Sequence, residues 1–149
     1  MKFNQGEGIQ SVVFSINNQL FSVLIEEVVE ILRVPFITSV PGIHPTIEGV
    51  INLRGNIIPI VNLHKRFEFP IPPGHKKNRI VIVQGKNEQI GLIVEEVRMV
   101  TDFDEKNVEP PHSQTIDEDV FIGFAKLEER VIGILDLEKV LYGYQQQSD

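Results

Sequence analysis

Apolar residues fall in short runs separated by polar turns. "SVVFSI" (11–16) meets the polar "NNQ" and is answered by "LFSVLI" (20–25). Further on, "RIVIVQ" (79–84), "GKNEQ" and "IGLIVEE" (90–96) repeat that order. Val, Ile and Phe bounded by Asn and Gly are strand and hairpin signals, so each stretch predicts two antiparallel strands. A second kind of hairpin is predicted at "GVINLRGNIIPIVNL" (49–63), turning at Arg54-Gly55-Asn56, and at "GFAKLEERVIGILDL" (123–137), turning at Glu128-Glu129-Arg130. Short helical patterns, "LHKRF" and "LEKVL", close the two series. Between them, "IEEVVEILR" (25–33) fits a helical spacing through Ile25, Val28, Val29 and Leu32. Its length is marginal for a helix and Pro35 follows, so a turn of helix entering a third strand is the other reading. The proline-rich "FPIPPGHKKN" (69–78) is the expected junction between halves, and "QQQSD" the expected frayed end.

The chain repeats itself. "FSVLIEEV" (21–28) and "IGLIVEEV" (90–97) share Glu26/Glu95, Glu27/Glu96 and Val28/Val97 at an offset of 69. The blocks 49–63 and 123–137 share Gly49/Gly123, Leu53/Leu127, Ile58/Ile132, Ile60/Ile134 and Leu63/Leu137 at an offset of 74. Two matched blocks in the same order indicate a tandem duplication of a β-rich unit. Four or five short strands in roughly 70 residues cannot make a stable flat sheet with open edges, whereas closing into a small barrel removes the edges and makes a core. The expected fold is therefore all-β with minor helix: two barrels, from residues 10–70 and 78–143, within one 149-residue domain.

Composition narrows the partners. The net charge of −7 is opposite to that of a general nucleic-acid or anionic-membrane binder. The one basic cluster, "HKKNR" (75–79), reads as a solvated loop. No apolar run approaches the ~18 residues that cross a bilayer, and the polar start lacks a signal-peptide core, so a cytoplasmic location without membrane insertion is expected. The absence of cysteine rules out disulfides and cysteine-ligated metal.

Catalytic chemistry finds no foothold. His44, His64, His75 and His112 lie in separate segments without ligand spacing, and structural or surface roles are expected for them. Nucleotide and nucleophile signatures are missing. The pairs Glu26-Glu27, Glu95-Glu96 and Glu128-Glu129 would point to opposite faces of a strand, and the repeated pairs suit a solvated corner of each barrel. "DFDEKNVE" (102–109) has the charge of a calcium loop without its glycine or spacing. No enzyme activity, metal or cofactor is expected.

What the duplication does not repeat is more informative. Arg54 aligns with Glu128, and Glu30 with Met99. The fold thus needs neither Arg54 nor Glu30, which are opposite in sign and suited to a bidentate ion pair at a barrel rim. A binding surface built on one half only is one reading; an exposed pair with no further role is the other.

At these residues the chain resembles a known family. "VVEILR", "EGVINLRGNIIPIVNLHKRF" and the second-half "IGLIVEEV" are similar to the CheW family, the coupling proteins of bacterial chemotaxis, with likeness from about residue 10 to about 143. The resemblance implies two SH3-like five-stranded barrels and a non-enzymatic adaptor. Such an adaptor connects cytoplasmic tips of chemoreceptors to the histidine kinase CheA through the kinase's own CheW-like regulatory domain. Glu30 and Arg54 match the glutamate and arginine linked with receptor binding, and Val28 and Gly49 match neighbouring positions of that surface; residues facing the kinase are left unassigned. The family often reads Asp-Leu-Arg after the proline strand, where this chain has Asn62-Leu63-His64.

Overall fold

Tight turns establish the first strand pairs. The computed structural model describes residues 8–42, 44–111 and 120–142. β1 (Gly8–Ile16) and β2 (Gln19–Leu24) pair from Ile16 opposite Gln19, leaving Asn17 and Asn18 as a two-residue turn at φ 53° and 61°. Asparagine tolerates this left-handed geometry, which matches the strand twist. A single 3₁₀ turn, Ile25–Glu27, leads into β3 (Val28–Arg33), so the ambiguous segment is a turn of helix entering a strand. β4 (Ile47–Leu53), β5 (Asn56–Asn62) and α1 (Leu63–Arg66) complete the first unit. The second unit repeats the series: β6 (Arg79–Gln84), β7 (Gln89–Val94), β8 (Glu96–Asp104), a 3₁₀ turn, β9 (Val108–Glu109), β10 (Phe121–Leu127), β11 (Arg130–Leu135) and α2 (Leu137–Tyr142).

The strands form two sheets, ordered β8-β1-β2-β11-β10-β9 and β3-β6-β7-β5-β4. Removing the short β9 leaves the same five-strand order in both. The registers repeat as well: Val12 lies opposite Val100 as Val81 lies opposite Ile31. Parallel pairing brings Ser22 to Ile134 as it brings Gly91 to Ile60. Each sheet also curls back on itself. The chain leaving β3 returns at Thr38 to bridge Val50 of β4, and β9, continuing from β8, pairs Glu109 with Phe124 of β10.

The expected halves, 10–70 and 78–143, are not the sheets. The β1–β2 hairpin of the first unit sits in the sheet of the second, and the β6–β7 hairpin of the second sits in the sheet of the first. The proline-rich stretch 69–78 consequently joins α1 to β6 within one sheet. The chain changes sheets instead at Ile25–Glu27 and at Glu95, where the matched "EEV" blocks lie. Strand alternation specifies which faces are apolar, and both arrangements satisfy it equally; the exchange is decided by what covers the second face of each hairpin.

That cover is visible in the core. Ile80 and Ile82 of β6 point into their own sheet's core with Ile51, Ile58 and Ile60. Val81 and Val83, on the opposite face, enter a cluster between the sheets with Val12, Phe14 and Ile16 of β1 and Leu137, Val140 and Leu141 of α2. Ile9 and Val13 fill the other sheet's core with Ile132 and Ile134. A strand buried on both faces reads as a continuous apolar run, which explains "SVVFSI" and "RIVIVQ".

Candidate functional site

β3 and β4 are the outer strands of their sheet, and the site is built where their ends meet. β4 and β5 are joined by Arg54-Gly55, with Leu53 opposite Asn56. Arg54 lies at φ 52° and Gly55 at φ 86°, and Asn52 Oδ1 accepts the Gly55 N–H at 2.9 Å. The turn is therefore fixed by a side chain as well as by backbone geometry, and glycine suits its second position. From this turn the guanidinium reaches Glu30 on β3. Arg54 Nη1 donates to Glu30 Oε1 at 2.6 Å and Nη2 to Oε2 at 3.0 Å. The expected ion pair is present, and it is bidentate.

Its electrostatics follow from that geometry. The hydrogen bonds from Arg54, opposed in part by desolvation and aided by its charge, hold the Glu30 carboxyl below the ordinary value of 4.5. Arg54 is correspondingly raised by the same contact. Arg54 is 69% exposed and Glu30 27%, so the pair lies in solvent and is screened. Exposed Val29 and Ile31 are the neighbours of Glu30 in β3, and strand alternation turns Ile31 to the opposite face from Glu30.

The other two predicted residues serve the scaffold at this surface. Val28, like its repeat Val97, packs against the cluster between the sheets. Gly49 lies beneath the bridge from Thr38, whose N–H and C=O each bond Val50 at 2.9 Å. A Cβ at Gly49 would fall on the Thr38 carbonyl oxygen, and one at Gly123 would come within 2.7 Å of the Glu109 carbonyl oxygen. Both repeats need glycine because returning backbone passes directly over it.

Two polar networks escaped the sequence reading. Asn62 caps α1 by accepting the His64 and Lys65 N–H groups, and its amide donates to Glu48, which also pairs with Lys65 at 3.3 Å. These contacts, the Asn62 hydrogen bond first, lower the Glu48 pKa. His64, 5% exposed, holds Glu95 Oε2 at 2.7 Å through Nε2, and the same oxygen accepts the N–H of Asn17 at the tip of the other sheet. The expectation of a solvated corner therefore fails at Glu95, which ties the sheets together. It also fails in part at Glu27, whose carboxylate accepts the Leu24 N–H at 3.3 Å. Asn62-Leu63-His64 is buried throughout and turned inward. The signal lay in Leu63 repeating as Leu137, which marks the start of a packed helix. His112 lies outside the described residues, as do the last seven residues, with the "QQQSD" end. Among the described residues no group of three His, Asp or Glu side chains is placed to hold a metal ion.

Comparisons with known proteins converge. The CheW-like domain family matches residues 10–145. The chain is 34% identical to the chemotaxis protein CheW of Bacillus subtilis, over 95% of this chain and 92% of that protein. With the chemotaxis protein CheW of Thermotoga maritima it shares 29% identity, over 86% and 84% of the two chains. The crystal structure of the scaffolding protein TtCheW from Thermoanaerobacter tengcongensis superposes with a TM-score of 0.84 at 36% identity, covering 94% of this chain and 93% of that one. A duplicated pair of small β subdomains, with the bidentate Glu30–Arg54 pair on one of them, belongs to a chain that is a member of the CheW family.

Proposed function

We propose that this chain is a non-enzymatic scaffold of chemotaxis signalling that couples the cytoplasmic tips of chemoreceptors to the histidine kinase CheA. The observation that carries the proposal is the bidentate Glu30–Arg54 pair, which lies in solvent at the rim of its sheet and is absent at the equivalent Met99 and Glu128. Glu30 and Arg54 form the receptor-binding contact. Gly49 and Val28 shape the same surface from beneath, one by admitting the Thr38 bridge and the other by packing under β3. CheA is held elsewhere on the chain through its CheW-like regulatory domain. Charges that set partner and register beside apolar contact area suit such coupling, which makes and breaks no bonds. No described helix is long and apolar enough to cross a membrane, in keeping with a protein that works in the cytoplasm and is recruited to receptor arrays.

Calorimetric titration with the CheA regulatory domain and with a receptor-tip fragment tests the proposal. Wild type binds both; Arg54→Glu keeps the kinase domain and loses the receptor. Equal loss of both partners would show that Arg54 does not mark a receptor side. Kinase binding without receptor binding in the wild type would favour a paralogue serving another pathway.

A further inference from the structure

An arginine at the first place of a two-residue turn is poorly suited to its own backbone. Arg54 sits at φ 52°, a left-handed conformation that asparagine takes readily at Asn17 and Asn18 but that a long side chain takes only at a cost. Gly55, at φ 86°, takes the second place freely, and a Cβ there would meet nothing within 4 Å. The glycine is thus required by conformation and not by a close approach. The ladder ends at Leu53 opposite Asn56. Beyond it the Gly55 N–H goes to Asn52 Oδ1 at 2.9 Å, so the side chain of Asn52 braces the turn across Arg54.

The backbone of this turn decides where the arginine points. Its side chain is 69% exposed, so packing does not orient it. The two bonds to Glu30, at 2.6 and 3.0 Å, need the guanidinium to meet the carboxylate edge-on. A modest rotation of the turn would leave one bond or none. Asn52 is itself exposed and adds nothing to the core. The duplication keeps neither member of the brace: Lys126 stands for Asn52 and Glu129 for Gly55. A lysine ammonium donates hydrogen bonds and accepts none, so the second hairpin cannot form the same contact. Asn52 and Gly55 therefore belong with Glu30 and Arg54 among the positions that only one unit has, while Leu53 between them repeats as Leu127.

We propose that Asn52 is a positioning residue for the receptor contact: by holding the Gly55 N–H it keeps the left-handed turn that aims Arg54 at Glu30, and it acts on the partner only through Arg54. The inference rests on the reading of Glu30 and Arg54 as the receptor-binding pair. Its physical content is preorganisation, because a guanidinium already held in one geometry loses less freedom when a partner arrives.

The test is calorimetric titration of the full chain with the receptor-tip fragment as wild type, Asn52→Ala, Arg54→Ala and the double variant, beside carboxyl and amide NMR of the free protein. Asn52→Ala should weaken the fragment about three- to tenfold. In the Arg54→Ala background the same change should have no further effect. In the free protein, Asn52→Ala should move the Glu30 midpoint upward from its lowered value toward 4.5 and speed exchange of the Gly55 amide. Asn52→Asp, which keeps an acceptor at the same place, should preserve the protection of that amide. An equal loss of binding with and without Arg54 would mean that Asn52 acts by another route, and would overturn the proposal. So would a Glu30 midpoint indifferent to Asn52→Ala. A wild type that does not bind the fragment, with the Glu30 midpoint still moved by Asn52→Ala, would instead overturn the receptor reading on which the proposal rests.

Discussion

The hairpins β4–β5 and β10–β11 hold equivalent places in equivalent sheets, yet one turn carries Arg54 and the other Glu128. Arg54 is at φ 52° and Glu128 at φ 58°, so even the backbone conformation at the turn is shared. Both hairpins begin with a glycine under returning backbone and both shift register there, between Ile47 and Gly49 and between Phe121 and Gly123. Everything that closes the sheet is duplicated. What differs is the chemistry at the tip: Arg54 finds a carboxylate on β3, whereas Glu128, for which the repeat offers Met99 in place of Glu30, makes no ion pair among the described residues. The comparison separates the part of the sequence that builds the scaffold from the part proposed to address a partner.

The largest effect should come from breaking what the hairpins share. Gly49→Val and Gly123→Val should each destabilise the fold by about 3 kcal/mol, because the new side chain must displace backbone. Urea denaturation should give matching losses; a tolerated change at either site would mean that the overlying bridge yields there. Breaking what differs should instead spare stability and strike binding. Arg54→Glu should weaken receptor-fragment binding at least about tenfold, while Glu128→Arg leaves it unchanged. Recovery of binding in the reversed pair Glu30→Arg/Arg54→Glu would reduce the pair to a structural clasp, since a partner reading these charges would not accept them exchanged.

A smaller effect tests a defect confined to one sheet. Ser22 is buried with no partner for its hydroxyl, where the repeat has Gly91. Removing a buried hydroxyl that lacks a hydrogen bond relieves its desolvation, so Ser22→Ala should raise stability by about 1 kcal/mol. A loss of similar size would reveal a hydrogen bond formed in solution. The finest probe is titration. Glu30 has a folded pKa depressed below its ordinary 4.5, so the pair's contribution is present in full above that value and fades as pH falls through the folded pKa. Carboxyl NMR should place the Glu30 midpoint below 4.5 in wild type and return it toward that value in Arg54→Ala. An unchanged midpoint would mean that the pair is not kept in solution.

The repeat made the site legible. Glu30 and Arg54 stood out because their counterparts had different chemistry, and the bidentate contact between them is what opposite charges on neighbouring rims should form. Val28 and Gly49 were marked by the family resemblance, whereas their duplication as Val97 and Gly123 already pointed toward packing and backbone clearance. His64 and Glu95 were not legible. They are 31 residues apart in separate stretches, and only the meeting of α1 with the crossover between β7 and β8 brings them together.

By itself, the order of apolar and polar residues determined the strands, their turns, the closing helices and the duplication. These are local consequences of side-chain alternation and turn chemistry, and they read the same wherever a strand ends up. Which strands pair was decided only in three dimensions. Both β1–β2 and β6–β7 are apolar on two faces, and each finds cover for both only by leaving its own unit, with one face in the other unit's sheet core and the other in the cluster between the sheets. Burial of two faces at once is a property of the whole chain, and no window of sequence contains it.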